Sequence, residues 1–381
     1  MIRDLFMGFP SRDPDLLVQD ERLTMDAASN LAGVLAKAWE GEVIAYSQFG
    51  TAKLALKEFV ADLSTARTEI YSAPGALPNV RPATIENDIG RRDFTVNTLA
   101  VDLSPAGFGN LLDLYNGSED LQTGVLRVIH ELSFQDDPTR LLRVVRYETR
   151  LGLHMDPQTE ITARQAVSYL KTVSGDRIRH EFERIFEEVE PEATLSRAEE
   201  LNLFQWLVPT MVWSPQMAEA AVRIRVAGHM SPLLPLTLLA ISLSRDILEA
   251  FKYRLNAPAT WAAVIQDTYT LGSRLLLVPT SANSRPSILY AMFSGLSPEA
   301  IIGWSVLAPD HRIRGLLINF LTKWRHVKPL LTGNDLLAMN VPQGPQVGEL
   351  LKQLLDARLD ELVLDREAEE EFVRKWLSSN D

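Results

Sequence analysis

Arg91-Arg92-Asp93-Phe94-Thr95-Val96-Asn97 stands between a pair of carboxylates upstream, Asp13-Pro14-Asp15, and an acidic turn with an arginine downstream, Asp136-Asp137-Pro138-Thr139-Arg140. The patterning of the chain differs on its two sides. On the N-terminal side, runs rich in β-formers at 43–49, 51–56 and 59–64 accompany helical spacing at 25–38 and 87–100, which predicts a mixed α/β unit. Lys57-Glu58 reads as the tip of a hairpin, and the segment 72–82, with Pro74, Gly75, Pro78 and Pro82, reads as a loop without regular structure. After Ser133 the apolar residues recur at helical spacing to the end, with breaks near Pro191, Pro209, 232–235, 279–286 and 342–345. The expected fold class is therefore α+β, a small mixed sheet with helices followed by an all-α remainder.

A chain of 381 residues, 46% hydrophobic and 23% charged, can bury the cores of two to four compact units. It has no cysteine, which removes disulfides, thiolate–zinc sites and cysteine nucleophiles. The N-terminal residues carry no apolar signal core, and the most apolar stretch, 233–243, is interrupted by Pro235 and too short to span a bilayer, so a cytoplasmic protein with no membrane partner is expected. The net charge of −12 argues against a strongly basic nucleic-acid binder. The charge is uneven, however: Arg140, Arg143, Arg146 and Arg150 begin a basic stretch to residue 180, while acid gathers at 356–371. A locally basic face on an acidic protein can still bind RNA, with salt-sensitive affinity. The oligomeric state is left open.

Side chains two apart on a strand share a face, so Asp13 and Asp15, at the start of Leu16-Leu17-Val18, can aim two carboxylates at one place. Hard oxygen donors so arranged suit Mg²⁺, which makes Asp13 and Asp15 the candidate metal ligands. Phosphoryl transfer from a nucleoside triphosphate needs such a pair, with a third carboxylate expected from a neighbouring strand. In the quoted stretch Asn87 or Asp88 is the expected N-cap, and Asp93 and Asn97 are expected on one face of a single helix. Arg92 can then meet a phosphate while Asp93 meets a ribose hydroxyl. Asp137 and Arg140 are likewise expected as helix neighbours, an acceptor beside a planar set of donors. Cytosine and adenine both offer an exocyclic amino donor next to a ring-nitrogen acceptor, so that pair can read either base.

In their order and spacing these motifs resemble those of the class II CCA-adding enzymes and bacterial poly(A) polymerases, which join nucleotides to RNA 3′ ends without a nucleic-acid template. The resemblance runs from residue 1 to about residue 185 and returns at Thr332-Gly333-Asn334-Asp335-Leu336 and Gly344-Pro345-Gln346-Val347-Gly348. It implies a nucleotidyltransferase head at 1–130, a base-selecting neck at 131–190, a helical body at 191–265 and a tRNA-binding tail at 266–381. It implies that Asp62, in Ala61-Asp62-Leu63-Ser64-Thr65-Ala66-Arg67, is the third catalytic acid beside Asp13 and Asp15. Arg92, Asp93, Asn97, Asp137 and Arg140 then bind the nucleotide, and by the resemblance alone so do Arg3, Arg143 and Arg146. Asp113, before Asn116-Gly117, is read as holding a structural turn, and Ser174-Gly175-Asp176-Arg177-Ile178-Arg179-His180-Glu181 as bracing the neck.

The implied activity is Mg²⁺-dependent addition of C and/or A from CTP or ATP to the 3′ end of tRNA, with release of pyrophosphate. The context of Arg67 and of His130 looks closer to branches that include A-adding enzymes. Poly(A) synthesis and a non-catalytic RNA-binding paralogue are the alternatives. The family's first motif is a Gly-Gly-x-Val-Arg-Asp turn, of which Met1-Ile2-Arg3-Asp4 keeps the Arg-Asp without the glycines or the strand before them. A start codon assigned too late is the favoured expectation, with a truncated copy as the other.

Overall fold

The computed structural model describes residues 1–10, 14–47, 50–229, 231–278 and 285–380. The chain divides into two compact units, Met1–Pro209 and Thr210–Asp381. In the first, helices α1 (Ile2–Phe6) and α2 (Ala27–Ala38) accompany a four-stranded sheet of β1 (Asp15–Val18), β2 (Glu42–Ser47), β3 (Thr51–Ala55) and β4 (Val60–Thr65), ordered β1-β4-β3-β2. The β1–β4 pair is parallel; the other two are antiparallel.

Ala28 and Ala32 of α2 pack on Ala52, Leu54, Ala61 and Leu63, which alternate along β3 and β4 and so bury one face of the sheet. The small helix residues let α2 lie close to the strands. Thr65, ending β4, fixes the start of α2: its hydroxyl accepts from Ala28 N at 3.1 Å and donates to Met25 O at 2.9 Å. The other sheet face is turned away from α2.

A ribbon of β5 (Arg67–Ile70) and β6 (Asn79–Pro82) follows. The expected irregular loop at 72–82 is thus corrected at its end, because a proline is tolerated in an edge strand and Pro82 is the last residue of the pairing. Next come α3 (Ile85–Gly90), a 3₁₀ turn at Thr95–Asn97, a two-residue ribbon β7 (Ala100–Val101) and β8 (Leu111–Leu112), α4 (Gly117–Thr123) and β9 (Val125–Leu126).

The expected helix at 87–100 is also corrected. Thr84, not Asn87 or Asp88, is the N-cap, accepting from Asn87 N, and α3 ends at Gly90. Beyond it Asp93 accepts from Phe94 N at 2.9 Å, which competes with helical hydrogen bonding. Phe94 is extended and bridges to Val128, while Thr95 N donates to Arg127 O at 3.0 Å. Burial of Phe94, Thr95 and Val96 outweighs local helical spacing.

The rest of this unit is helical: α5 (Ser133–Asp136), α6 (Arg140–Leu151), α7 (Pro157–Ala166), a 3₁₀ turn at Val167–Thr172, α8 (Gly175–Phe186), α9 (Pro191–Glu200) and α10 (Phe204–Leu207), with β10 (His154–Met155) pairing back to β9. The second unit holds helices from Pro215–Val226 to Arg366–Asn380. Several of the prolines read as breaks occupy first helical turns, as in Pro191–Glu200, Leu234–Ile241, Pro286–Phe293 and Pro345–Leu359, where the missing N–H costs nothing. Its cores gather around Leu271, Phe293 and Leu317 and around Leu336, Leu350 and Val373. No helix among the described residues is long and apolar enough to cross a membrane.

Candidate active site

Asp15 and Asp62 are direct partners in the parallel register of β1 and β4. Ala61 and Leu63 are buried towards α2, so Asp62 between them is exposed on the opposite face. On its other flank Lys53 of β3 is its antiparallel partner, with Nζ 3.5 Å from Asp62 Oδ1. A row Asp15, Asp62, Lys53 therefore crosses three adjacent strands, spaced about 4.8 Å apart. Asp13, expected beside Asp15, lies outside the described residues. Asp15 and Asp62 offer hard carboxylate oxygens, a donor chemistry that fits a divalent cation such as Mg²⁺.

A second cluster is built on the quoted stretch. Asp93 is buried, and each of its oxygens is used. Oδ1 accepts from Phe94 N at 2.9 Å and Asn97 Nδ2 at 2.8 Å, while Oδ2 accepts from Arg143 Nε at 2.9 Å and Nη2 at 2.5 Å. Asn97 in turn accepts from Arg3 Nη1 at 2.5 Å, and its backbone carbonyl accepts from Arg92 Nη1 at 3.0 Å. Asp93 and Asn97 are thus neighbours although no helix carries both: the 3₁₀ turn brings them together. Burial pushes the Asp93 carboxyl up, but the charge of Arg143 and the hydrogen bonds of Asn97 and Arg143 outweigh it and hold the group below the usual carboxylate range. Burial likewise opposes the charge on Arg143, and Asp93, Tyr147 and Glu181 outweigh it, raising its pKa.

Tyr147 sits at the centre of this cluster. Its ring lies 5.1 Å from the Arg3 guanidinium, 5.5 Å from that of Arg143 and 5.2 Å from that of Arg146, and edge-on to Phe94 at 5.7 Å. Arg146 also pairs with Glu188 at 3.4 Å and Glu181 at 3.9 Å. Arg91 is used internally, bound to Asp88 at 2.7 Å and Glu69 at 2.8 Å.

Asp137 and Arg140 differ from the expected helix pair. Pro138 disfavours helical backbone at the residue before it, and Asp137 is extended (φ −129°, ψ 92°), so the chain breaks between α5 and α6. Asp137 Oδ1 accepts from Thr139 Oγ1 at 2.7 Å and Arg177 Nη2 at 2.6 Å. Arg140 is buried, donating to Ser133 Oγ and to Arg91 O, both at 2.6 Å. The second donor edge of Arg177 reaches Gly75 O at 3.1 Å, so one guanidinium ties the 72–78 loop to Asp137. Asp113 holds its turn as read from the sequence, accepting from Gly117 N at 2.7 Å and Ser118 N at 3.0 Å.

Sequence reasoning passed over Lys53 and Tyr147, and gave Arg177 only a bracing role. Tyr147 carried a signal, standing four residues after Arg143 and directly after Arg146.

Residues 1–127 match the family described as "Poly A polymerase head domain", and residues 152–213 that described as "Probable RNA and SrmB- binding site of polymerase A". The A-adding tRNA nucleotidyltransferase of Geobacter sulfurreducens is 31% identical over 379 residues, covering 94% of this chain, which spans only 42% of that protein's length. That of Halalkalibacterium halodurans is 30% identical over 357 residues, covering 92% of this chain and 81% of the relative. Among solved structures, the Thermotoga maritima CCA-adding enzyme complexed with tRNA aligns with a TM-score of 0.78 at 28% identity, over 99% of this chain and 89% of that one.

Proposed function

Because this chain belongs to the tRNA nucleotidyltransferase family, we propose that it adds nucleotides to the 3′ end of tRNA, and that the nucleotide is the terminal adenosine, taken from ATP. The observation that carries the reading is the pairing of Asp15 with Asp62 on the sheet face turned away from α2. Two exposed carboxylates held one strand apart by backbone register have the placement and chemistry that a nucleotidyl-transfer centre uses. The choice of adenosine is supported by the two A-adding relatives.

In this reading the 3′ hydroxyl oxygen of the RNA forms a bond to the α-phosphorus of ATP. The bond from that phosphorus to the bridging oxygen breaks, pyrophosphate leaves, and Asp62 takes the hydroxyl proton. Divalent metal use goes with nucleotidyl transfer in this family, and we take the ion to be Mg²⁺, held by Asp13 and Asp15, where it would lower the pKa of the attacking hydroxyl and offset triphosphate charge. Asn97 and Arg3 meet the ribose and phosphates, with Asp93 setting their positions. Arg3, Arg92, Arg143 and Arg146 supply positive charge to the triphosphate. Asp137 and Arg140 select the base, Arg140 turning from its present partners to do so. The setting is the cytoplasm.

The test is extension by the full chain of tRNA transcripts ending before CCA, after C and after CC, with each labelled nucleotide and Mg²⁺, beside Asp62→Ala. Addition of A to the transcript ending in CC, lost in the variant, is expected. Addition of C to the shorter transcripts would move the reading to CCA or CC synthesis, and no addition to any of the three would overturn it.

A further inference from the structure

Lys53 has no role in the scheme above, yet it completes the row across the candidate catalytic face. Asp62 is flanked on one side by Asp15 and on the other by Lys53, each its direct register partner. Thr51, Lys53 and Ala55 share this face, since Ala52 and Leu54 between them are buried against α2. The Lys53 side chain is 44% exposed and that of Asp62 51%, so the pair is open to solvent instead of sealed as a structural bridge. The next residue of the row, on the outermost strand, is Ala45, the register partner of Lys53. A methyl group there leaves the ammonium approachable from the sheet edge. The hydroxyls of Ser47 and Thr51, 2.8 Å apart, continue the polar surface on the same two strands.

The two flanks of Asp62 therefore present opposite charges to a polyanion. In the scheme above the Asp15 flank is taken by the metal ion and the triphosphate it carries, a net negative neighbour, whereas an RNA end arriving over Lys53 meets an exposed cation. If the terminal hydroxyl is to reach Asp62, the phosphate one nucleotide back must lie to one side of it, and electrostatics selects the lysine side.

We propose that Lys53 contacts the phosphate preceding the 3′-terminal nucleotide of the RNA acceptor and so positions the terminal hydroxyl beside Asp62. This rests on the function proposed above for its choice of ligand. It makes Lys53 a positioning residue for the acceptor and not for the incoming nucleotide. An exposed charge pair of this kind is worth about fivefold in affinity, and one lost single-strand phosphate contact lowers the slope of log K against log salt by about 0.7.

The experiment is a binding cycle read by fluorescence anisotropy on the full chain without nucleotide. An acceptor-stem RNA ending in CC is compared with the same RNA carrying a neutral methylphosphonate at its last linkage, against wild type, Lys53→Ala and Lys53→Arg. Wild type should lose about fivefold on the neutral linkage, and Lys53→Ala a similar amount on the normal one with no further loss on the neutral one. Lys53→Arg should restore the wild-type pattern. In turnover, Lys53→Ala should raise the KM for RNA while that for ATP stays unchanged. Losses that add independently, or a rise confined to the KM for ATP, would overturn the proposal. Since the cycle needs no turnover, coupling without nucleotide addition would retire the proposed function and leave the contact standing, whereas addition without coupling would retire the contact alone.

Discussion

The Asp93–Arg143 pair makes a prediction that the pH dependence of stability can decide. In Arg143→Met the Asp93 carboxylate stays buried and keeps Phe94 N and Asn97 Nδ2 but loses both hydrogen bonds to Oδ2. Removing one partner of a buried ion pair costs about 3–5 kcal/mol, and the Arg143 side chain is 24% exposed, which argues for the lower end, about 3 kcal/mol at pH 7. In the native protein the Asp93 pKa lies below the usual range, so the stability it contributes is complete above the unfolded value of about 3.9 and is lost as pH falls through the folded one. In the variant, burial acts without the arginine, the folded pKa rises above the unfolded one, and the penalty fades as pH falls towards about 4. The gap between the two proteins should therefore be full at pH 7 and narrow below about pH 5. Unfolding of the first unit is followed by hydrogen exchange of α6 amides in rising urea, where 3 kcal/mol corresponds to a midpoint shift of about 1 M. Combining Arg143→Met with Asp93→Asn should recover more than half of the loss. A loss under about 1 kcal/mol at pH 7, or one equal at pH 7 and pH 4, would refute the reasoning.

Tyr147→Leu removes three ring–guanidinium contacts and should raise the KM for ATP about tenfold with kcat within about threefold, Tyr147→Phe remaining near wild type; a fall in kcat alone would count against the ring as organiser of the arginines. Arg177→Ala frees Asp137 and the Gly75 carbonyl, and should lower the preference for ATP over CTP in kcat/KM about tenfold; an equal loss with both nucleotides would make the arginine a brace only. Asp62→Asn should cut kcat by about a thousandfold with RNA affinity retained, and surviving turnover would show that the Asp15–Asp62 row is not the reacting centre.

The legibility of this site in the sequence follows the distance over which each constraint acts. Placing the hairpin tip at Lys57-Glu58 fixes the register, since residues equidistant from the tip must pair: Lys53, four before Lys57, faces Asp62, four after Glu58. The Lys53–Asp62 partnership thus follows from the position of the tip alone. The break before Arg140 was legible too, because Pro138 bars Asp137 from the helix, and three-residue spacing alone hid it. The stretch at 91–97 is a different case. Its polar spacing is equally good for a helix, and what selects the turn is burial of Phe94 and Val96 and the pairing of Thr95 with Arg127, thirty-two residues away. Arg177 meets Asp137 across 40 residues, and Arg143 meets Asp93 across 50. Spacing can state that a buried carboxylate needs a cation, yet several arginines satisfy that demand equally until the helices are packed. Local geometry thus named the residues that could do chemistry, while their pairing, which decides which arginines are free to meet a nucleotide, is a property of the packed chain.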